Sequence, residues 1–148
     1  MNGPVHLSDF KGKLVLIYFG YTHCPDICPT ALALTTGALK QMSAAELAQV
    51  QTLFISIDPR RDTPERMAEY AGFFHPSIIG LTGSETQIND VARRFGAYYS
   101  ILDGASADNY EVDHSSQTVL IDQQGQVKMA IRHGTPSEEV LKTIRQFL

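Results

Sequence analysis

Cysteine is scarce in this chain: the 148 residues hold two, Cys24 and Cys28. A framework of several disulfides is therefore excluded, and one domain of this length can bury about two-thirds of its unfolded surface without staples. Long apolar runs are missing too. None approaches the ~18 residues of a membrane-spanning helix, and no signal peptide pattern is visible. The opening Met1-Asn2-Gly3-Pro4 reads as a boundary inside a longer gene product, so a missing anchor says little about the whole. Basic clusters are also absent. A net charge of -4 without a positive stripe argues against nucleic acid as a partner. No repeat or low-complexity tract interrupts the chain, and 43% hydrophobic with 19% charged residues is ordinary for a soluble globule.

The apolar segments that are present have strand and helix lengths. Leu14 to Phe19 and Thr52 to Ile57 read as buried strands, Ile78 to Leu81 as a short one, and Thr118 to Ile121 as another. Gln123-Gln124-Gly125 reads as a hairpin turn into a partner strand that carries Val127, Met129 and Ile131. Ala31 to Met42 reads as a helix weakened by Gly37. Ser43-Ala44-Ala45-Glu46 is a capping box, Thr63 caps a helix opened by Pro64, and Ser84 with Gln87 repeats the pattern. Thr135-Pro136-Ser137-Glu138 is expected to cap a last helix. Core stripes follow at helical spacing: Met67, Tyr70, Ala71 and Phe74; Ile88, Val91, Ala92 and Phe95; Val140, Leu141, Ile144 and Phe147. Tyr98 to Asn109 reads as an exposed loop. Strands that alternate with helices and close with a hairpin and a helix imply an α/β fold, a mixed sheet covered on both faces.

The two cysteines lie where the first strand hands over to a helix, in Gly20-Tyr21-Thr22-His23-Cys24-Pro25-Asp26-Ile27-Cys28-Pro29. Pro25 suits the first helical position, which makes Cys24 the expected N-cap. Cys28 follows one turn on, and residues four apart share a helix face. Pro29 is expected to loosen this turn or separate it from the helix that continues at Thr30. At a helix N-terminus beside His23, both thiols should titrate below their usual range of about 8.5. A strained reversible disulfide and a pair of soft metal ligands both fit, and the spacing does not choose between them.

Ligands in such sheets gather at the carboxyl ends of the strands. Asp58 follows the second strand, and Asp113-His114-Ser115-Ser116 precedes the Thr118 strand. His114 is the strongest distant candidate, and a solvated loop histidine is the plain alternative. Surface or packing roles are expected of His6, His75 and His133, while His23, which adjoins Cys24, is a closer case expected only to tune the thiols.

Cys24-Pro25-Asp26-Ile27-Cys28-Pro29, preceded by Phe19-Gly20-Tyr21-Thr22-His23, resembles the signature of the Sco (SenC) copper proteins of cytochrome c oxidase assembly. The resemblance continues through Phe54-Ile55-Ser56-Ile57-Asp58-Pro59, Arg61-Asp62-Thr63 and Gly80-Leu81-Thr82-Gly83 to Val112-Asp113-His114. It implies one thioredoxin-like domain over residues 1–148, with copper held by Cys24, Cys28 and His114. Thiolates favour Cu(I), and an imidazole lets the site hold Cu(II) as well. Zinc is expected to be accepted in vitro, since two cysteines, a histidine and a water satisfy its tetrahedral preference. Asp26 and Asp58 are candidates to orient the imidazole or bias the site's charge, although an exposed carboxylate closing a turn is the plainer role for each.

The resemblance further implies a metallochaperone that delivers copper to a subunit of cytochrome c oxidase. Other copper chaperones or thioredoxin-like reductants would be further partners, and this segment itself would make no membrane contact. It implies the periplasmic side of a bacterial inner membrane, with an N-terminal anchoring helix outside this chain. The rival readings are a thiol-disulfide reductase in which Cys24 and Cys28 form the redox-active pair, and a redox or copper sensor. Three departures weigh against general reductase or peroxidase chemistry. Three residues separate the cysteines where redox thioredoxins have two, and His114-Ser115-Ser116-Gln117-Thr118 has no proline at the position of their cis-proline. Tyr21 stands where peroxiredoxins place a threonine.

Overall fold

The apolar run after Lys13 becomes the central strand of a five-stranded sheet. The computed structural model describes residues 6–22, 27–94, 99–101, 112–114, 118–132 and 134–148, with 27, 28, 92, 94, 99–101 and 112–114 described by backbone alone. Strand β1 (Leu14–Gly20) lies between β2 (Val50–Ser56), which runs parallel to it, and β6 (Thr118–Ile121), which runs antiparallel. Outside these lie β3 (Ile78–Leu81) and β7 (Val127–Ile131), giving the order β3-β2-β1-β6-β7. Every residue of β1, β2 and β6 is buried. Because successive side chains of a strand point to opposite faces, burial of consecutive residues means that both faces of the sheet are covered.

One face is built on aromatic rings. Tyr18 is opposite Phe54 in register, and their ring centroids are 6.2 Å apart. Phe54 stacks on Tyr70 at 5.5 Å, and Tyr70 leans on Phe74 at 5.4 Å, both from α3 (Pro64–Phe74). Each fully buried ring contributes roughly 1.5–3 kcal/mol by burial. α3 comes so close that a Cβ at Gly80 of β3 would collide with the Met67 carbonyl, so glycine is required there.

Most helix starts follow their sequence signals. Ser43 Oγ accepts from Glu46 N at 3.2 Å while Glu46 takes the Ser43 N–H, opening α2 (Ala44–Leu47). Thr63 Oγ1 accepts from Arg66 N at 3.1 Å ahead of Pro64. Ser84 and Gln87 do the same for α4 (Glu85–Arg94). The expected stripes of α3 and α5 (Ser137–Phe147) face the core, with Met67, Ala71, Val140, Leu141 and Ile144 buried. Ile88 of α4 is buried and Val91 partly so, while Phe95 lies outside the described residues.

Four expectations change. Helix α1 (Ile27–Lys40) runs through Pro29 without interruption. Pro29 is its third residue, where the backbone N–H would have no intrahelical partner, so its missing donor costs nothing. The last helix has no side-chain cap: Pro136 is its N-cap, Thr135 Oγ1 turns back to the Arg132 carbonyl, and Ser137 Oγ donates to Leu34 O of α1 at 2.7 Å. Here a tertiary contact has won over a local one, and Gly37 permits it, since a Cβ there would collide with the Ser137 hydroxyl. The stretch expected to be an exposed loop contains β4 (Tyr99–Ile101), paired antiparallel with β5 (Val112–His114), Tyr99 opposite His114. Finally, β7 buries only Ile131, because it is an edge strand that runs past the core and leaves Val127 and Met129 exposed. Among the described residues no helix is long and apolar enough to cross a membrane.

Candidate metal centre

Parallel, in-register pairing places the carboxyl ends of β1 and β2 side by side. Gly20 is opposite Ser56, and Ile57 N donates to the Gly20 carbonyl at 2.8 Å. Strand β6 runs the other way with Thr118 opposite Tyr18, so its first residue lies near the same end. The chain reaches β6 from β5, whose last residue is His114. Four residues span at most ~14 Å. On the other side, Cys28 is the second residue of α1, which the chain enters from β1. The topology thus gathers the exit of β1 and the entrance of β6, with Cys28 and His114 on the segments that adjoin them. Cys24 and Asp26, as well as His23, lie outside the described residues, as do the side chains of Cys28 and His114. The assignment of Cys24 as N-cap lies outside them too.

Beneath this end is a polar network that ties the start of the cysteine loop to β2 and α3. Asp62 is buried. Its Oδ2 accepts from Ser56 Oγ at 2.6 Å and from Thr22 N at 3.2 Å, and its Oδ1 accepts from Thr22 Oγ1 at 2.5 Å. Arg66 Nε lies 3.8 Å from Oδ1 and donates to Thr22 Oγ1 at 2.6 Å. A buried carboxylate is tolerated only when its lone pairs are met by donors, and hydrogen bonds to an ionised group are the stronger kind.

Asp58 is not the exposed turn-closing carboxylate expected of it. Its side chain is 1% exposed, and Oδ2 meets Arg61 Nε at 2.6 Å. The Arg61 guanidinium in turn lies over the Tyr21 ring, 5.8 Å from the centroid. Asp58 closes the turn with its backbone carbonyl, which accepts from Arg61 N and Asp62 N. Burial follows from the cation: a neutralised carboxylate can sit inside, while a lone one could not. Among the described residues no three His, Cys, Asp or Glu side chains gather to hold a metal ion.

Sequence reasoning singled out Asp58 but missed Asp62, Thr22, Ser56 and Arg66. Thr63 was visible as a cap, whereas the aspartate before it had no visible role, because its partner Thr22 is 40 residues away. The available signal was a serine at the end of an apolar strand and an aspartate just before a capped helix.

The family model of SCO1/SenC matches residues 2–148. The chain belongs to the SCO1/SenC family. Across this family it is 43% identical to the SCO2-like protein RC0895 of Rickettsia conorii over 146 residues, which covers 97% of this chain and 71% of that protein. It is 39% identical to the mitochondrial SCO2 of Saccharomyces cerevisiae, covering 99% of this chain and 52% of that protein. Its fold matches that of Bradyrhizobium japonicum ScoI, solved with copper bound, with a TM-score of 0.86 and 34% identity over 95% of this chain and 88% of the other. This SCO1/SenC chain accordingly has a thioredoxin-like fold, as its sequence led one to expect. Its sequence offers two thiols and an imidazole on segments that adjoin one end of the sheet, and that donor set suits a soft cation better than a hard one.

Proposed function

We propose that this chain is a copper metallochaperone whose cargo is held by Cys24, Cys28 and His114. The observation that carries the reading is the convergence of the β1 exit, leading to the cysteines, and the β6 entrance, preceded by His114, at one end of the sheet. The likeness to a copper-bound ScoI supports it. Three ligands leave a coordination position open, through which the ion passes to an acceptor. The acceptor is the copper-binding subunit of a cytochrome c oxidase, met outside the cytoplasm, on the periplasmic side of a membrane to which a longer chain is anchored.

Anaerobic titration of the reduced chain with copper tests this. One equivalent should bind, and the Cu(II) form should show sulfur-to-copper charge transfer. Cys24→Ala, Cys28→Ala and His114→Ala should each weaken binding by more than about 100-fold, beyond the 10–100-fold typical of groups that only support a ligand. Far-UV circular dichroism should not change. Tight binding by H114A would overturn the ligand assignment.

A further inference from the structure

We infer that Asp62 and Thr22 are positioning residues that hold the cysteine loop in its copper-ready arrangement. The inference deepens the copper-binding reading and rests on it. Its first support is where the chain is fastened. The exit of β1 is fixed at Gly20 by the Ile57 N–H, and Thr22 is then held at both its backbone N–H and its hydroxyl by one buried carboxylate. Cys24 follows two residues later, within ~7 Å of extended chain from that anchor. Helix α1 is under way by Ile27. Fastening Thr22 therefore fixes the chain two residues before Cys24 and lowers the entropy lost when the thiolate is fixed on a metal.

The second support is directionality. Arg66 Nε donates to Thr22 Oγ1, so the threonine hydroxyl must send its own proton to Asp62 Oδ1. Ser56 Oγ accepts from Asp58 N at 3.0 Å and so must donate to Asp62 Oδ2. Each hydroxyl has one permitted orientation, and both point at the carboxylate. This fixes the strand end, the loop start and the first turn of α3 as one unit. Ser56 and Asp62 are both buried, so water does not compete for the bond between them, and Thr22 is half-buried beside it.

Thr22→Val removes the hydroxyl at constant volume and keeps the backbone N–H, whereas Thr22→Ser keeps both. Asp62→Asn keeps the shape but puts a donor or a weakened acceptor against several donors. Two readouts are taken. In the metal-free protein, amide hydrogen exchange across residues 20–30 should quicken in T22V and D62N and match the parent in T22S. In the copper-loaded protein, copper dissociation should be about 10-fold faster in T22V and D62N, with a shifted charge-transfer band, and T22S should restore both. Unchanged exchange, off-rate and spectrum in T22V would overturn the inference, as would a T22S variant as impaired as T22V. Should D62N fail to fold, the T22V and T22S pair decides alone. Failure of the parent chain to bind copper would instead overturn the metal reading, and the metal-free exchange data would still judge the fastening of the loop.

Discussion

The two ends of the central sheet solve the same problem in different ways. At the end where β1 and β2 finish, buried Asp62 is met by Ser56 and Thr22, which are 6 and 40 residues away in sequence. At the opposite end, in the turn from β6 to β7, Asp122 Oδ1 accepts from Gln124 N and Gln126 N, both at 2.9 Å and within four residues. The Gln126 N–H above all, then the Gln124 N–H and Lys128, hold the Asp122 carboxyl below the usual range against the opposing pull of burial. One carboxylate organises a local turn. The other joins a loop, a strand end and a helix start. A local turn carries its own instructions, whereas a junction needs the whole fold to exist before its partners meet.

Removing each carboxylate should expose that difference. Asp62→Ala leaves the buried Ser56 hydroxyl and the half-buried Thr22 hydroxyl and N–H without an acceptor, and should destabilise the protein by about 3 kcal/mol. That is a large share of a typical domain's ~5–15 kcal/mol. Asp122→Ala frees two N–H groups of exposed turn residues, which water can meet, so its loss should be clearly smaller. Urea unfolding with unchanged slope measures both, and equal midpoint shifts would erase the distinction between the two ends.

A smaller effect isolates the backbone of the turn. Gly125 has φ +85 and nothing within 4 Å of where a Cβ would stand. Gly125→Ala should therefore cost about 1 kcal/mol from the left-handed conformation alone. Copper affinity should not move, because the turn follows Ile121, which pairs with Val15 at the far end of β1 from its exit toward the cysteines. A G125A variant that lost copper would show that the two ends are coupled through β1 or β6.

This contrast also explains what could be read from the residues. Strands β1 and β2, the caps at Ser43, Thr63 and Ser84, and the Gly125 turn are specified by neighbours within a few positions. Their physics is in the local string. The missed or altered features depend on distant partners: Ser137 gives its hydroxyl to α1 in place of its own helix, β4 exists by pairing with β5, and Asp58 is buried because Arg61 comes with it. In the site, the cysteine positions followed from a strand-to-helix handover. His114, far off in sequence, was singled out from the company of a strand entrance and as a ligand only through family resemblance. Asp62 was invisible for the same reason that it is useful: it binds parts of the chain that are far apart in sequence.

The mildest test lies at the hairpin end, where Glu46 precedes β2. Its carboxylate takes Arg145 Nε at 2.9 Å and the Ser43 N–H at 3.0 Å, joining α2 to α5. Arg145 first, then the Ser43 N–H, lowers its pKa from 4.5 to about 2. The folded value is depressed, so the stabilisation is complete above pH 4.5 and is lost as pH falls through about 2. Both partners touch solvent, so the effect should be small and should weaken further in salt. Glu46→Gln keeps the capping geometry and removes the charge. Its unfolding midpoint should fall below the parent's at neutral pH by less than that of G125A, and the two should converge as the pH is lowered from 4.5 toward 2. No gap at neutral pH, or one that stays constant across that interval, would mean that the charged pair with Arg145 adds nothing.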